Sequence, residues 1–303
     1  LPLAHGFDSY WGIPYSNDMD ARRGFPNYRQ TARKDPSYVA PIKQYHVPVI
    51  EGTKVIERPA NQHTITGRYT DKGVEFIRAN KDKPFFLYLT HYAVHTPIQS
   101  KPELKAKYQK KPTVGGHTNA AYAGMIESMD DSIGAVQATL KRLDLDDNTI
   151  VIFFSDNGGH GGVTSNAPLR GSKGMLYEGG IREPLVVKWP GVTKAGSTCK
   201  EPVIGVDFYP TFLELAGIDR PKNLKLDGLS FVPCLKDDSA SLGRKALYWH
   251  FPCYLQGYTP RHGPFRTTPA AAIRMGDWKL IEFFEDGALE LYNLKKDLGE
   301  ENN

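Results

Sequence analysis

Two short stretches carry side chains whose types and spacing suit chemistry. The first is Ser155, Asp156, Asn157, Gly158 and Gly159, directly after the β-branched and aromatic run at 149–154. A carboxylate and a side-chain amide at the carboxyl end of a buried strand stand where open α/β sheets bind ligands. Both present oxygen atoms, the donors that calcium and magnesium take, so the pair offers two ligands from one turn. The same pentapeptide equally makes an ordinary turn after a strand. The second stretch is Gly171, Ser172, Lys173 and Gly174. A lysine between glycines brings its ammonium to a ligand at little steric cost, and that compact charge suits a tetrahedral oxyanion. A solvated surface lysine is the alternative.

Other reactive types are more scattered. His160, among the glycines of 158–162, and His250, between Trp249 and Phe251, stand at a loop and a strand end, places that rim a substrate. Each also suits a satisfied structural histidine. His91 reads as a packing or hydrogen-bonding histidine, and Asp130 with Asp131 as the solvated face of a helix. Cys199, Cys234 and Cys253 have no C-x-x-C spacing, which argues against zinc-ribbon and thioredoxin-type chemistry. One disulfide at most can form, and ordinary thiols are the plain reading.

These residues need a scaffold. The 303 residues, 40% hydrophobic, suffice for one large core and a smaller satellite. The first 70 or so read as long loops rich in Pro, Gly, Tyr and Asn. A helix is expected over about 70–80, and a strand covered on both faces at 84–89. Tyr122, Met125, Ile126, Met129, Ile133, Val136 and Leu140 repeat at helical spacing over 119–143, as core packing. Strands follow at 149–154 and 184–189, then a helix at 207–216 with Pro210 near its first turn. Alternating strand and helix predict an α/β fold with a mostly parallel central sheet flanked by helices. Beyond 218 a charged linker precedes short strands at 247–250, 271–274, 278–284 and 289–292, with Glu285, Asp286 and Gly287 as a hairpin turn. A small C-terminal antiparallel domain is expected, giving domains over 1–219 and 220–303.

The formal charge of +4 is spread along the chain, unlike the clustered stripe of a nucleic-acid binder. No run approaches the roughly 20 apolar residues of a membrane span. The chain opens on Leu1 with no basic region or apolar signal core, and so reads as beginning inside a longer protein.

Three longer stretches add a resemblance. Residues 169–184, with Lys173 followed by Tyr177, Glu178, Gly179, Gly180, Arg182 and Pro184, resemble the loop of sulfatases that carries a sulfate-binding lysine. Residues 83–97 are similar to the family's strand ending in an H-x-P turn, which gives His95 the role of hydrogen-bonding the sulfate or the leaving oxygen. Imidazole suits that role because its pKa lies near working pH. Residues 5–19 look like the G-F-D-x-x-x-G-I-P-Y-S stretch of arylsulfatases, which places Ser16 near the sulfate. A turn-capping serine is the alternative.

The resemblance implies an alkaline-phosphatase-like fold and a sulfuric ester hydrolase acting on an aryl or carbohydrate sulfate. Lys173 and His95 are then the catalytic candidates, Ser16, His160 and His250 further substrate contacts, and Asp156 with Asn157 ligands to calcium, with magnesium second. It also implies a formylglycine nucleophile, expected before Leu1, since the motif around that cysteine is absent from 1–303. The isolated chain is accordingly expected to be inactive, with apolar sheet edges exposed. Periplasmic or extracellular placement follows from the family alone. A phosphate or phosphonate ester hydrolase on the same scaffold, and a non-catalytic anion- or glycan-binding protein, are the alternatives.

Overall fold

A computed structural model describes residues 1–26, 31, 34–35, 38–256 and 265–303. The chain divides into two compact units, 1–114 with 118–146, and 115–117 with 147–303.

In the first unit β1 (Trp11–Gly12), β2 (Val49–Glu51) and β3 (Lys54–Glu57) form an antiparallel sheet in that order. Helix α1 (Ile65–Ala79) turns Ile65, Tyr69, Gly73 and Ile77 inward. It begins earlier than residue 70 because Ile65 and Tyr69 complete a core with Ile13, Val47, Val49 and Ala60. The Tyr69 hydroxyl accepts the Ile13 N–H at 3.0 Å. Gly12 makes room for it, since a Cβ at position 12 would lie 2.6 Å from that hydroxyl oxygen.

Helices α2 (Pro102–Gln109) and α3 (Ala120–Arg142) pack together across Gly124, where a Cβ would meet Leu104 at 3.1 Å. The Asn119 side chain caps α3 by accepting the Tyr122 N–H at 3.0 Å. Asp130 and Asp131 are exposed.

The central sheet departs from expectation. Residues 84–90 are extended but belong to no described strand. One side packs on α1, with Phe85 edge-on to Phe76 and Leu89 against Gly73, while Phe86 and Tyr88 are 55% and 71% exposed. In the second unit β4 (Val151–Phe154) pairs antiparallel with β5 (Leu185–Lys188), Val151 facing Lys188 and Phe154 facing Leu185. The mostly parallel sheet is therefore not observed among the described residues. Apolar runs report burial but not strand direction. Between β4 and β5 the only helix is the four-residue α4 (Glu178–Ile181), too short to carry the chain back along the sheet. The chain instead re-enters beside β4 from the end it left, and the Ser155 N–H reaches the Pro184 carbonyl at 3.4 Å.

Helices α5 (Phe208–Leu215) and α6 (Val232–Lys236) follow. Then β6 (Leu247–Phe251), β9 (Ala270–Met275), β10 (Trp278–Phe283) and β11 (Leu289–Asn293) form the expected antiparallel sheet, in the order β11-β10-β9-β6. The short β7 (Leu255–Gln256) and β8 (Phe265–Thr267) pair separately. Gly287 takes a φ of +70° in the hairpin between β10 and β11, and Asp286 Oδ1 accepts the Ala288 N–H at 3.0 Å. Ala270, Ala272, Ile281, Tyr292 and Leu294 form this sheet's core.

Candidate functional site

The loop after β4 and the loop before α4 are fastened to each other. The Lys173 N–H donates to the Gly159 carbonyl at 3.1 Å, and the Gly158 N–H to the Gly180 carbonyl at 3.1 Å. Asn166 adds a side-chain clamp: its Nδ2 donates to the carbonyls of Gly159 (3.0 Å) and Gly171 (3.2 Å), while its Oδ1 accepts the Gly159 N–H at 3.0 Å. The glycines allow this closeness, since a Cβ on Gly158 would stand 1.9 Å from the Gly179 carbonyl oxygen. Asp156 and Asn157 are thus held on one loop and Lys173 on its neighbour. The Asn157 amide nitrogen donates to Asp156 Oδ2, which orients the pair.

A buried ionic cluster anchors the Lys173 loop from below. Lys279 on β10, fully buried, lies 3.1 Å from Glu178 Oε1 and 2.8 Å from Glu300 Oε1. Glu300 Oε2 also accepts the Glu178 N–H at 2.6 Å. Burial pushes the Glu300 carboxyl up, against the pull of Lys279. Arg170 donates to the Glu300 carbonyl and the Tyr292 hydroxyl, each at 2.8 Å, and its guanidinium covers the Tyr177 ring at 4.1 Å.

The first unit holds the other candidates. His95 follows residues 84–90 in a turn, its N–H on the Tyr92 carbonyl at 2.6 Å. Its Nδ1 lies 2.9 Å from the Thr96 carbonyl. A carbonyl only accepts, so Nδ1 carries a proton, which leaves Nε2 as the ring atom open to a ligand. The Asp18 carboxylate accepts from Ser16 Oγ at 2.8 Å and from Thr96 Oγ1 at 3.0 Å, joining the Ser16 segment to the His95 turn. The Tyr92 hydroxyl reaches the carbonyls of Ile13 and Tyr15 at 2.9 and 2.6 Å. His91 is internal: its Nε2 lies 3.0 Å from the buried Ser132 hydroxyl, and burial lowers its pKa.

Comparison with known proteins gives this geometry a family. The Sulfatase family matches residues 2–218, and the N-sulphoglucosamine sulphohydrolase C-terminal family matches 172–303. The chain belongs to the sulfatase family. A sulfatase of Formosa agariphila is 38% identical over 282 residues, covering 87% of this chain and 48% of the relative. The human N-acetylgalactosamine-6-sulfatase is 33% identical over 250 residues, covering 77% of this chain and 42% of the relative. The chain thus spans about half the length of these relatives or less. The crystal structure of Ps i-CgsB, solved also with k-i-k-neocarrahexaose, superposes with a TM-score of 0.76 at 30% identity, over 100% of this chain and 63% of that one. BT4656, solved with D-glucosamine-2-N,6-O-disulfate, shares the fold at a TM-score of 0.72 and 22% identity, over 98% of this chain and 72% of that one.

In this sulfatase chain the remaining candidates lie apart from the two clamped loops' centre. His160 continues the Asp156 loop and turns inward on it, its Nδ1 accepting the Gly162 N–H at 3.0 Å. His250 is exposed on β6 with its ring 5.6 Å from that of Phe284, and no described hydrogen bond or ring contact joins it to either loop. Asp156 and Asn157 suit a hard cation as two oxygen donors, but calcium takes roughly six to eight. Among the described residues no group of three or more His, Cys, Asp or Glu side chains is placed to hold a metal. Burial pushes Glu183 up to about 7; a Ser155 hydrogen bond lowers it and the Asp156 charge raises it. No described helix is long and apolar enough to cross a membrane. The sequence carries no signature for the parts that Asp18, Thr96, Asn166 and Glu300 play. Only the shared carboxylate and the amide clamp expose them, and neither has a spacing signature.

Proposed function

We propose that this chain supplies the anion-gripping face and part of the cation site of a sulfuric ester hydrolase that cleaves an aryl or carbohydrate sulfate. The observation that carries the proposal is the Lys173 N–H to Gly159 carbonyl bond of 3.1 Å, which fastens the lysine loop to the loop of Asp156 and Asn157. A lysine loop fastened backbone to backbone to a carboxylate–amide loop suits a site that takes a sulfate and a hard cation together.

Lys173 holds the sulfate oxygens and balances the negative charge that grows on them as the ester bond breaks. Asp156 and Asn157 give two oxygens toward calcium, with magnesium second; the cation supplies Lewis-acid polarisation when bound. His95 presents Nε2 to the sulfate or the leaving oxygen, and donates there once protonated. Ser16 already gives its hydroxyl proton to Asp18, so its part is to brace the Asp18–Thr96 link beneath the His95 turn, with a direct sulfate contact as the lesser role. His160 and His250 serve at most as rim contacts. The nucleophile is a formylglycine, and none of Cys199, Cys234 and Cys253 lies in its motif, so the isolated chain is inactive. A sulfated glycan is the favoured substrate, supported by the relatives named for N-acetylgalactosamine 6-sulfate and solved with a neocarrahexaose.

The test is turnover by the full-length protein of a matched aryl sulfate and aryl phosphate. The sulfate ester should have the higher kcat/KM. Preference for the phosphate would move the chain to phosphoesterase chemistry.

A further inference from the structure

Beside the lysine loop, the second unit holds a small cavity that the proposed reaction does not use. It measures about 180 Å³ and lies between residues 175–177, the end of β8 and the core face of the C-terminal sheet. Met175, Leu176 and Phe283 give it apolar walls, and Arg266, Thr267 and Thr268 give it polar ones. Among the described lining residues Arg266 is the one charged side chain, and it is half-buried.

Arg266 is tied to the loop of the proposed sulfate lysine. Its Nη1 donates to the Lys173 carbonyl at 2.9 Å. The next residue, Gly174, takes a φ of +85° and packs directly on the β7–β8 pair. A Cβ there would lie 2.7 Å from Leu255 Cδ1 and 3.4 Å from Arg266 Nη1, so a larger residue would part the loop from β8. A guanidinium carries its N–H groups in a rigid planar fork, and a bond to a fixed backbone carbonyl orients that fork. The fork matches two oxygens of a carboxylate or of a sulfate. The apolar walls suit the C–H face of a sugar ring and keep water from the ion pair, which strengthens it. Sites for drug-sized ligands run to roughly 300–1,000 Å³, so this smaller cavity takes one charged substituent and the ring edge that carries it.

We propose that the Arg266 cavity is a specificity subsite for an anionic substituent, a carboxylate or a second sulfate, on the sugar beside the sulfate ester. The inference rests on reading Lys173 as the sulfate-gripping lysine, and it makes an acidic glycan the substrate class. Arg266 binds and orients the sugar and takes no part in breaking the ester bond.

The test is calorimetric titration of the full-length protein with glucuronate, glucose 6-sulfate and neutral glucose. At least one anion should bind about tenfold or more tighter than glucose, a comparison that needs no variant. Tighter glucuronate assigns the subsite to a carboxylate, and tighter glucose 6-sulfate to a second sulfate. Affinity for the preferred anion should fall about tenfold or more in Arg266→Met and recover only in part in Arg266→Lys, whose ammonium lacks the fork. Lys173→Ala should keep most of it. Glucose binding as tightly as both anions, an Arg266→Met variant with wild-type affinity, or affinity lost in Lys173→Ala but not in Arg266→Met would each overturn the proposal. Failure to hydrolyse an aryl sulfate would remove the sulfatase reading, whereas the titration reads anion binding at Arg266 without turnover.

Discussion

A backbone carbonyl sets the orientation of the His95 ring. With Nδ1 committed to the Thr96 oxygen at 2.9 Å, only Nε2 is left to face a reacting atom. Replacing it, as in His95→Gln, should lower turnover by about 10²–10⁴ where the leaving alcohol needs a proton. The loss should be smaller for a nitrophenyl sulfate, whose leaving group departs as an anion. Steady-state kinetics on the two substrate types would read the difference. His91 does another job. Burial lowers its pKa in the fold while the unfolded chain keeps an ordinary value near 6.5. Below that value the unfolded chain takes up a proton that the fold resists, so stability is lost as pH falls through it. Urea midpoints should drop between about pH 7.5 and about pH 5.5, and His91→Gln should flatten that slope.

The elements that carry the site are locked by contacts that no local pattern announces. Lys279 is a residue type expected at the surface, yet on β10 it shares the face of Ile281 and is fully buried between Glu178 and Glu300. Lys279→Met leaves two buried carboxylates without their ammonium and should cost about 3–5 kcal/mol in denaturant unfolding. Arg182, whose side chain is 51% exposed in its pair with Glu178, is the control; Arg182→Ala should cost under about 1 kcal/mol. The C-terminal strands were readable because alternation and the Asp286–Gly287 turn are local signals. That 84–90 joins no described strand, and the direction of β5, were not, because pairing is decided by residues distant in sequence. For the same reason Lys173 and Asp156 were legible as residue types in motifs, while the Asn166 clamp and the Asp18 bridge were not.

At the scale of the molecule, the chain spans about half the length of the relatives it matches or less, and each of its two units leaves large apolar side chains exposed. Phe86, Tyr88 and Val186 are 55%, 71% and 62% exposed on or beside extended segments. Removing such area from water is worth roughly 25 cal/mol per Å², so kinetics belong on the full-length protein. The proposed sulfate grip depends most directly on Lys173. In that protein, kcat/KM for an aryl sulfate should fall about 10²–10³-fold in Lys173→Ala, with an unchanged unfolding midpoint and partial recovery in Lys173→Arg. An alanine variant that turns over aryl sulfate at the wild-type rate would contradict it.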